Sequence, residues 1–100
     1  MIILAIDTGN TQTTFGIFRG KRLAGTAHLP SSSLLKSEHA RKRIFQFLQK
    51  ESISEKMLAG VVISSVVPAC TKTLAFIANK YLHREPVIVS GSLDTGLRIR

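Results

Sequence analysis

The stretch from Ile2 to Phe18, Ile-Ile-Leu-Ala-Ile-Asp-Thr-Gly-Asn-Thr-Gln-Thr-Thr-Phe-Gly-Ile-Phe, limits the possible folds more than any other part of the chain. Ile2 to Ile6 is an unbroken apolar run of strand length, which suits a central strand covered on both faces rather than a solvated edge. Asp7 closes that run. Thr8-Gly9-Asn10-Thr11 then reads as a reversal, because glycine and asparagine tolerate the positive φ that a tight turn demands. Thr13, Thr14, Phe15, Ile17 and Phe18 form a second β-rich segment, so the expectation is a hairpin with a carboxylate and several hydroxyls at its tip.

Two readings fit such a tip. Asp, Gly and Asn serve any turn, and the first reading stops there. The second is a phosphate site. Backbone N–H groups around Gly9 and Asn10 can cradle an anion, the Thr11 hydroxyl and Asn10 amide can donate to phosphate oxygens, and Asp7 can hold magnesium through water.

Composition narrows the class. With 100 residues, 44% of them hydrophobic, the chain can form one domain with its own core and does not read as disordered. The single cysteine, Cys70, excludes an internal disulfide and fits a reducing compartment. No apolar run is long enough to span a bilayer, and no basic region precedes the short N-terminal one, so a soluble, cytoplasmic protein is expected. Fourteen Lys and Arg against six Asp and Glu leave a formal charge of +8, which favours anionic partners in general. The consecutive Arg41-Lys42-Arg43 fan over a wide arc of a helix and read as a solvated face.

Further along, Arg19-Gly20-Lys21-Arg22 reads as a turn and Leu23 to Leu29 as a third strand. Pro30 and Ser31-Ser32-Ser33 are expected to break regular structure as an exposed, mobile connection. Ser37 is placed to cap a helix, with Glu38 in the first turn and Ala40, Ile44, Phe47 and Leu48 at helical spacing. His39 has no second metal-type residue at i+4 and reads as solvent-facing. Leu58 to Ile63 is a second buried strand, ending in Ser64-Ser65-Val66-Val67-Pro68. A helix starting near Pro68 carries Cys70, Leu74, Ile77, Ala78 and Tyr81 as its apolar stripe, with Cys70 a small core residue. Pro86 to Val89 gives a fifth strand and Gly91 to Gly96 a loop.

The order β-β-β-α-β-α-β allows an antiparallel meander followed by parallel strands joined through helices. The expected fold class is α/β, a ribonuclease-H-like mixed five-stranded sheet flanked by helices. Ligands of such sheets gather at the carboxyl ends of parallel strands, where Asp7 and Ser64-Ser65 both fall.

Asp7-Thr8-Gly9-Asn10-Thr11, Phe15-Gly16-Ile17-Phe18, Gly60-Val61-Val62-Ile63-Ser64-Ser65-Val66-Val67-Pro68 and Thr95-Gly96-Leu97-x-Ile99 together resemble the N-terminal part of type III pantothenate kinase. The Ser-Ser-Val-Val-Pro block is the most specific. The Asp-x-Gly-Asn-Thr block is shared more loosely across the acetate and sugar kinase, heat-shock ATPase and actin superfamily. The resemblance covers nearly the whole chain. It implies a cytoplasmic enzyme of coenzyme A biosynthesis that moves the γ-phosphoryl of ATP to the primary hydroxyl of pantothenate, as a homodimer needing magnesium and a monovalent cation, potassium or ammonium. It further implies that Asp7 helps position magnesium, that Gly9, Asn10 and Thr11 cradle ATP phosphates, and that Ser64, Ser65 and Val67 lie near the substrate cleft.

The family's Tyr-Asp-Asn-Pro stretch, its Gly-x-Asp-Arg motif with the catalytic aspartate, and its second phosphate motif have no counterpart up to Arg100. Residues 1–100 are therefore expected to be a single ribonuclease-H-like domain, the first of two in the full-length kinase, with no catalytic residue of its own and no turnover alone. Two rivals stand beside this reading. A ribonuclease-H-type nuclease needs several carboxylates around two metals, whereas Asp94 is the sole aspartate besides Asp7. A stand-alone basic binding module would use Arg41, Lys42 and Arg43 on nucleic acid or a regulatory partner, but it lacks interleaved aromatics for base stacking.

Overall fold

The computed structural model describes residues 1–89. β1 (Ile2–Thr8), β2 (Gln12–Arg19) and β3 (Arg22–Pro30) come first, then α1 (Ser37–Lys50), β4 (Leu58–Ser65), α2 (Pro68–Lys80) and β5 (Val87–Val89). In the sheet they stand in the order β3-β2-β1-β4-β5, so the apolar N-terminal run is the central strand. β1 pairs antiparallel with β2 and parallel with β4, and β4 pairs parallel with β5. The fold is the expected mixed five-stranded α/β sheet of ribonuclease-H-like order. The loop expected over Gly91 to Gly96 and the Thr95-Gly96-Leu97 block lie outside the described residues.

Strand alternation sorts the side chains onto two faces. Leu4 and Ile6 of β1, Phe15 and Ile17 of β2, and Val61 and Ile63 of β4 point to one side. There they meet Ala40, Ile44, Phe47 and Leu48 of α1 and Cys70, Leu74, Ile77 and Ala78 of α2 in one buried cluster. The rings of Phe15 and Phe47 sit 5.7 Å apart between centroids, within the range of favourable aromatic pairs. Each large side chain buried here contributes about 1.5–3 kcal/mol relative to exposure. The other face carries a smaller group, Ala5 with the half-buried Phe18, Leu23, Val62 and Val89. Both helices thus pack on one side of the described sheet.

Turn chemistry follows the residues. The two-residue loop between β2 and β3 places Gly20 at φ +62°, as a hairpin turn with glycine at its first central position requires. Pro68 is the first residue of α2, where its missing N–H loses no bond. Tyr81 follows that helix as its C-terminal cap and packs half-buried against the core.

Three local expectations need correction. Ser37 does not cap α1: Lys36 holds that position with extended backbone and no side-chain bond, and Ser37 is already helical. The exposed helix start leaves its N–H groups to water, so a side-chain cap is dispensable. Ser31-Ser32-Ser33 is not an irregular, wholly exposed connection: Ser31–Leu34 form a 3-10 turn in which Ser31 and Leu34 are buried. Serine suggests exposure by its polarity, but a hydroxyl whose bonds are met internally carries little burial penalty. β5 begins at Val87 rather than Pro86, since proline has no N–H to give the ladder.

Candidate functional site

β1 and β4 run parallel and end together, with Asp7 opposite Ser64 and Thr8 opposite Ser65. Across the sheet, Asp7 also faces Thr14, Thr14 faces His28, and Ser64 faces Val89. Cross-strand partners share a face, so these five residues form one transverse row. Their chain neighbours Ile6, Phe15, Leu29 and Ile63 lie in the helix-covered core. The row therefore lies on the face away from the helices. Asp7, Thr14 and His28 of this row, together with Gly9, Asn10 and Gln12 of the hairpin, line a cleft of about 630 Å³ that Val66 closes at one edge.

The hairpin tip is built without left-handed residues. Neither Gly9, Asn10 nor Thr11 takes a positive φ, contrary to the expectation from the turn residues. The Gly9 N–H instead donates to the Gln12 carbonyl at 2.9 Å. Glycine also avoids a tight contact there, because a Cβ would stand 3.3 Å from that carbonyl oxygen. The Gly9 N–H is thus engaged inside the turn, and Asn10 beside it lines the cleft.

Ser31 holds the hairpin from beneath. Its N–H donates to the Thr11 carbonyl at 2.9 Å, and its hydroxyl donates to the Gly9 carbonyl at 2.7 Å. That commits the Ser31 proton, so Thr13 must be the donor in the 2.9 Å bond between the two hydroxyls. Cys70 adds a weak S–H contact to the Ser31 carbonyl at 3.6 Å. Burial pushes the Cys70 thiol up from its ordinary range, which keeps it protonated and unreactive and agrees with a core role. Nearby, the Thr8 hydroxyl is buried without a hydrogen-bond partner among the described residues.

The Ser64-Ser65-Val66-Val67-Pro68 stretch forms the strand-to-helix turn. The Val66 N–H donates to the Thr8 carbonyl at 3.1 Å, carrying the β1–β4 pairing one step past the strands. The Ser65 hydroxyl lies 3.0 Å from both the N–H and the carbonyl of Val67. The same carbonyl accepts the Thr71 N–H and hydroxyl, which starts α2.

Of the residues expected at the site, Asp7, Gly9 and Asn10 come together on the cleft, and Thr11 sits exposed at the hairpin tip. Ser64 is fully buried in the row beside Asp7, whereas Ser65 and Val67 shape the turn behind it. Sequence reasoning missed Gln12, Thr14, His28 and Val66 as lining residues and Ser31 as the clamp. Thr14 was legible through the period of two along β2. His28 depends on the β2–β3 register, which shifts between Ile17 and Phe18 and is not written in any short motif. His39 is exposed as expected. No cluster of three or more His, Cys, Asp or Glu suited to a metal occurs among the described residues.

Comparison with known proteins places this geometry. The fold is shared with a candidate sugar kinase from Cytophaga hutchinsonii ATCC 33406, at a TM-score of 0.63 and 17% identity over 90% of this chain and 36% of that one. It is also shared with Pelota from Archaeoglobus fulgidus, at a TM-score of 0.57 and 14% identity over 96% of this chain and 29% of that one. These likenesses define the fold class alone. The particular family comes from the sequence: the type III pantothenate kinase family matches residues 3–100. A type III pantothenate kinase from Elusimicrobium minutum (strain Pei191) is 34% identical over 99 residues, 99% of this chain and 38% of that protein. The chain belongs to the type III pantothenate kinase family. It spans 38% of the length of that relative.

Proposed function

We propose that this chain is the N-terminal, nucleotide-phosphate-binding half of an enzyme that transfers the γ-phosphoryl of ATP to pantothenate, the first step of coenzyme A biosynthesis. The observation that carries the reading is the position of Asp7: a carboxylate 6% exposed, at the end of a central parallel strand, on a cleft with the Asn10 hairpin tip. Phosphoryl transfer asks little covalent chemistry of the protein and much positioning and charge neutralisation. A carboxylate in this position fits magnesium, which is commonly held by one or two carboxylates plus phosphate oxygens and water. Asp7 would hold the ion, which when bound neutralises charge on the phosphate chain. Asn10 and Thr11 donate to phosphate oxygens, and Ser31 fixes the carbonyl side of the hairpin so that these donors keep their places. Ser64, Ser65 and Val67 support the neighbouring wall.

The remaining parts of this reading extend the family membership. Residues 1–100 act as the first of two domains, the catalytic base lies in the second, and the complete protein is a cytoplasmic homodimer that uses a monovalent cation, potassium or ammonium. Among the described residues no helix is long and apolar enough to cross a membrane. The test is a coupled assay of ATP-dependent phosphopantothenate formation by the full-length protein, alongside Asp7→Asn. The proposal expects turnover in the parent and a fall of at least about a hundredfold in the variant, the scale of losing one charge-stabilising group in a transition state. Turnover retained in Asp7→Asn, or none in the parent, would overturn it.

A further inference from the structure

Thr14 and His28 lie outside every motif that marks the family in this sequence, yet both line the cleft. They are directly opposed on β2 and β3, and the Thr14 hydroxyl meets His28 Nδ1 at 3.0 Å. In the row Thr14 is one strand spacing from Asp7 and His28 two, about 10 Å at the usual distance between strands. Among the described residues that line the cleft, His28 is the one basic side chain, while Asp7 supplies the carboxylate. When the Thr14 hydroxyl donates to Nδ1, the ring proton is placed on Nε2, which becomes an N–H donor for a ligand.

We infer that His28, held by Thr14, forms a second polar subsite of the cleft that donates from Nε2 to an oxyanion oxygen of the bound ligand, at the far end of the row from Asp7. The inference rests on the proposed function for the identity of that ligand. Two oxyanions are then available, a phosphate oxygen of the nucleotide and the carboxylate of pantothenate. Both are acceptor-only groups of the kind an imidazole N–H recognises. The separation from Asp7 means that the oxygen at His28 is not one that a magnesium ion on Asp7 would share. A surface pair that only ties β2 to β3 would put the same two residues opposite each other, and affinity separates the two roles.

The experiment is calorimetric titration of the protein and of His28→Ala, His28→Gln and Thr14→Val with Mg-ADP and, separately, with pantothenate, together with the melting temperature of each. The expected result is about tenfold weaker binding of one of the two ligands by His28→Ala, the scale of one hydrogen bond to a charged group. His28→Gln, which keeps an N–H donor, should recover most of that loss, and Thr14→Val should fall between. A loss for Mg-ADP alone assigns the subsite to phosphate, and a loss for pantothenate alone assigns it to the carboxylate. Wild-type affinity for both ligands in His28→Ala, with or without a lower melting temperature, would leave only a sheet-stabilising pair and overturn the subsite alone. Failure of the unmodified protein to bind either ligand would overturn the subsite and the proposed function together.

Discussion

The two faces of the sheet use the same strands for opposite ends. On the helix-covered face, Leu4, Ile6, Phe15, Ile17, Val61 and Ile63 are closed off from water and packed into one cluster. On the other face, Asp7, Thr14, His28 and Ser64 stand in one row, of which Asp7, Thr14 and His28 line the cleft. A shift of one residue in any strand would exchange the two sets, so the packing that stabilises the fold also fixes the register of the site. The hairpin tip joins them: Gly9 and Asn10 line the cleft, while Thr13 and Ser31 anchor the same loop on the covered side.

The largest expected effect belongs to the covered face. Phe15→Ala should lower stability in urea unfolding by about 3–5 kcal/mol, because it removes a ring buried against Phe47 and leaves a cavity. A change below about 1 kcal/mol would mean that the two faces are not divided as described. Next comes the joint between them. Ser31→Ala leaves the Gly9 carbonyl and Thr13 hydroxyl without their shared partner, a loss of about 1–3 kcal/mol. Amide exchange at Gly9 and at residue 31 should rise more than in α2, whereas uniform protection would show that the Ser31 hydroxyl does not hold the loop.

Cys70 gives a smaller, pH-dependent effect. Its thiol titrates higher in the folded protein than in the unfolded chain, so the stability it contributes is fully present at neutral pH. That contribution is lost as pH rises past the ordinary thiol range, because the unfolded state gives up its proton first. Urea midpoints measured from neutral to strongly alkaline pH should show this fall in the parent and a shallower one in Cys70→Ala. The smallest effect is expected on the outer face of α1. Neutralising Lys42 and Arg43, both exposed, should change stability by no more than about 0.5 kcal/mol and leave nucleotide binding unaltered. Salt-dependent DNA binding lost in that variant would instead revive the basic binding module.

Much of this architecture was legible in the sequence because period and punctuation agree with it. The apolar run Ile2 to Ile6, the stripe Ala40, Ile44, Phe47 and Leu48, and Pro68 at a helix start each carry one local signal with one structural meaning. The place of Asp7 on the cleft was legible for a similar reason, as a carboxylate ending a buried run. Ser31 and His28 were not, because each owes its role to a partner far along the chain: Gly9 and Thr13 for the first, Thr14 for the second. The tip misled in one respect. Asp-Thr-Gly-Asn suggests a left-handed turn, whereas Gly9 has no positive φ and only spares a tight contact with the Gln12 carbonyl.

The account turns on Asp7 and the hairpin forming a magnesium-dependent phosphate site on the face away from the described helices. Its most direct test is calorimetric titration of the protein with ADP, with and without magnesium, alongside Asp7→Asn with its melting temperature as a control for folding. The account predicts binding by the parent that strengthens with magnesium, and loss of that magnesium dependence in a folded Asp7→Asn. Equal binding by both proteins, or no binding by a folded parent, would contradict it.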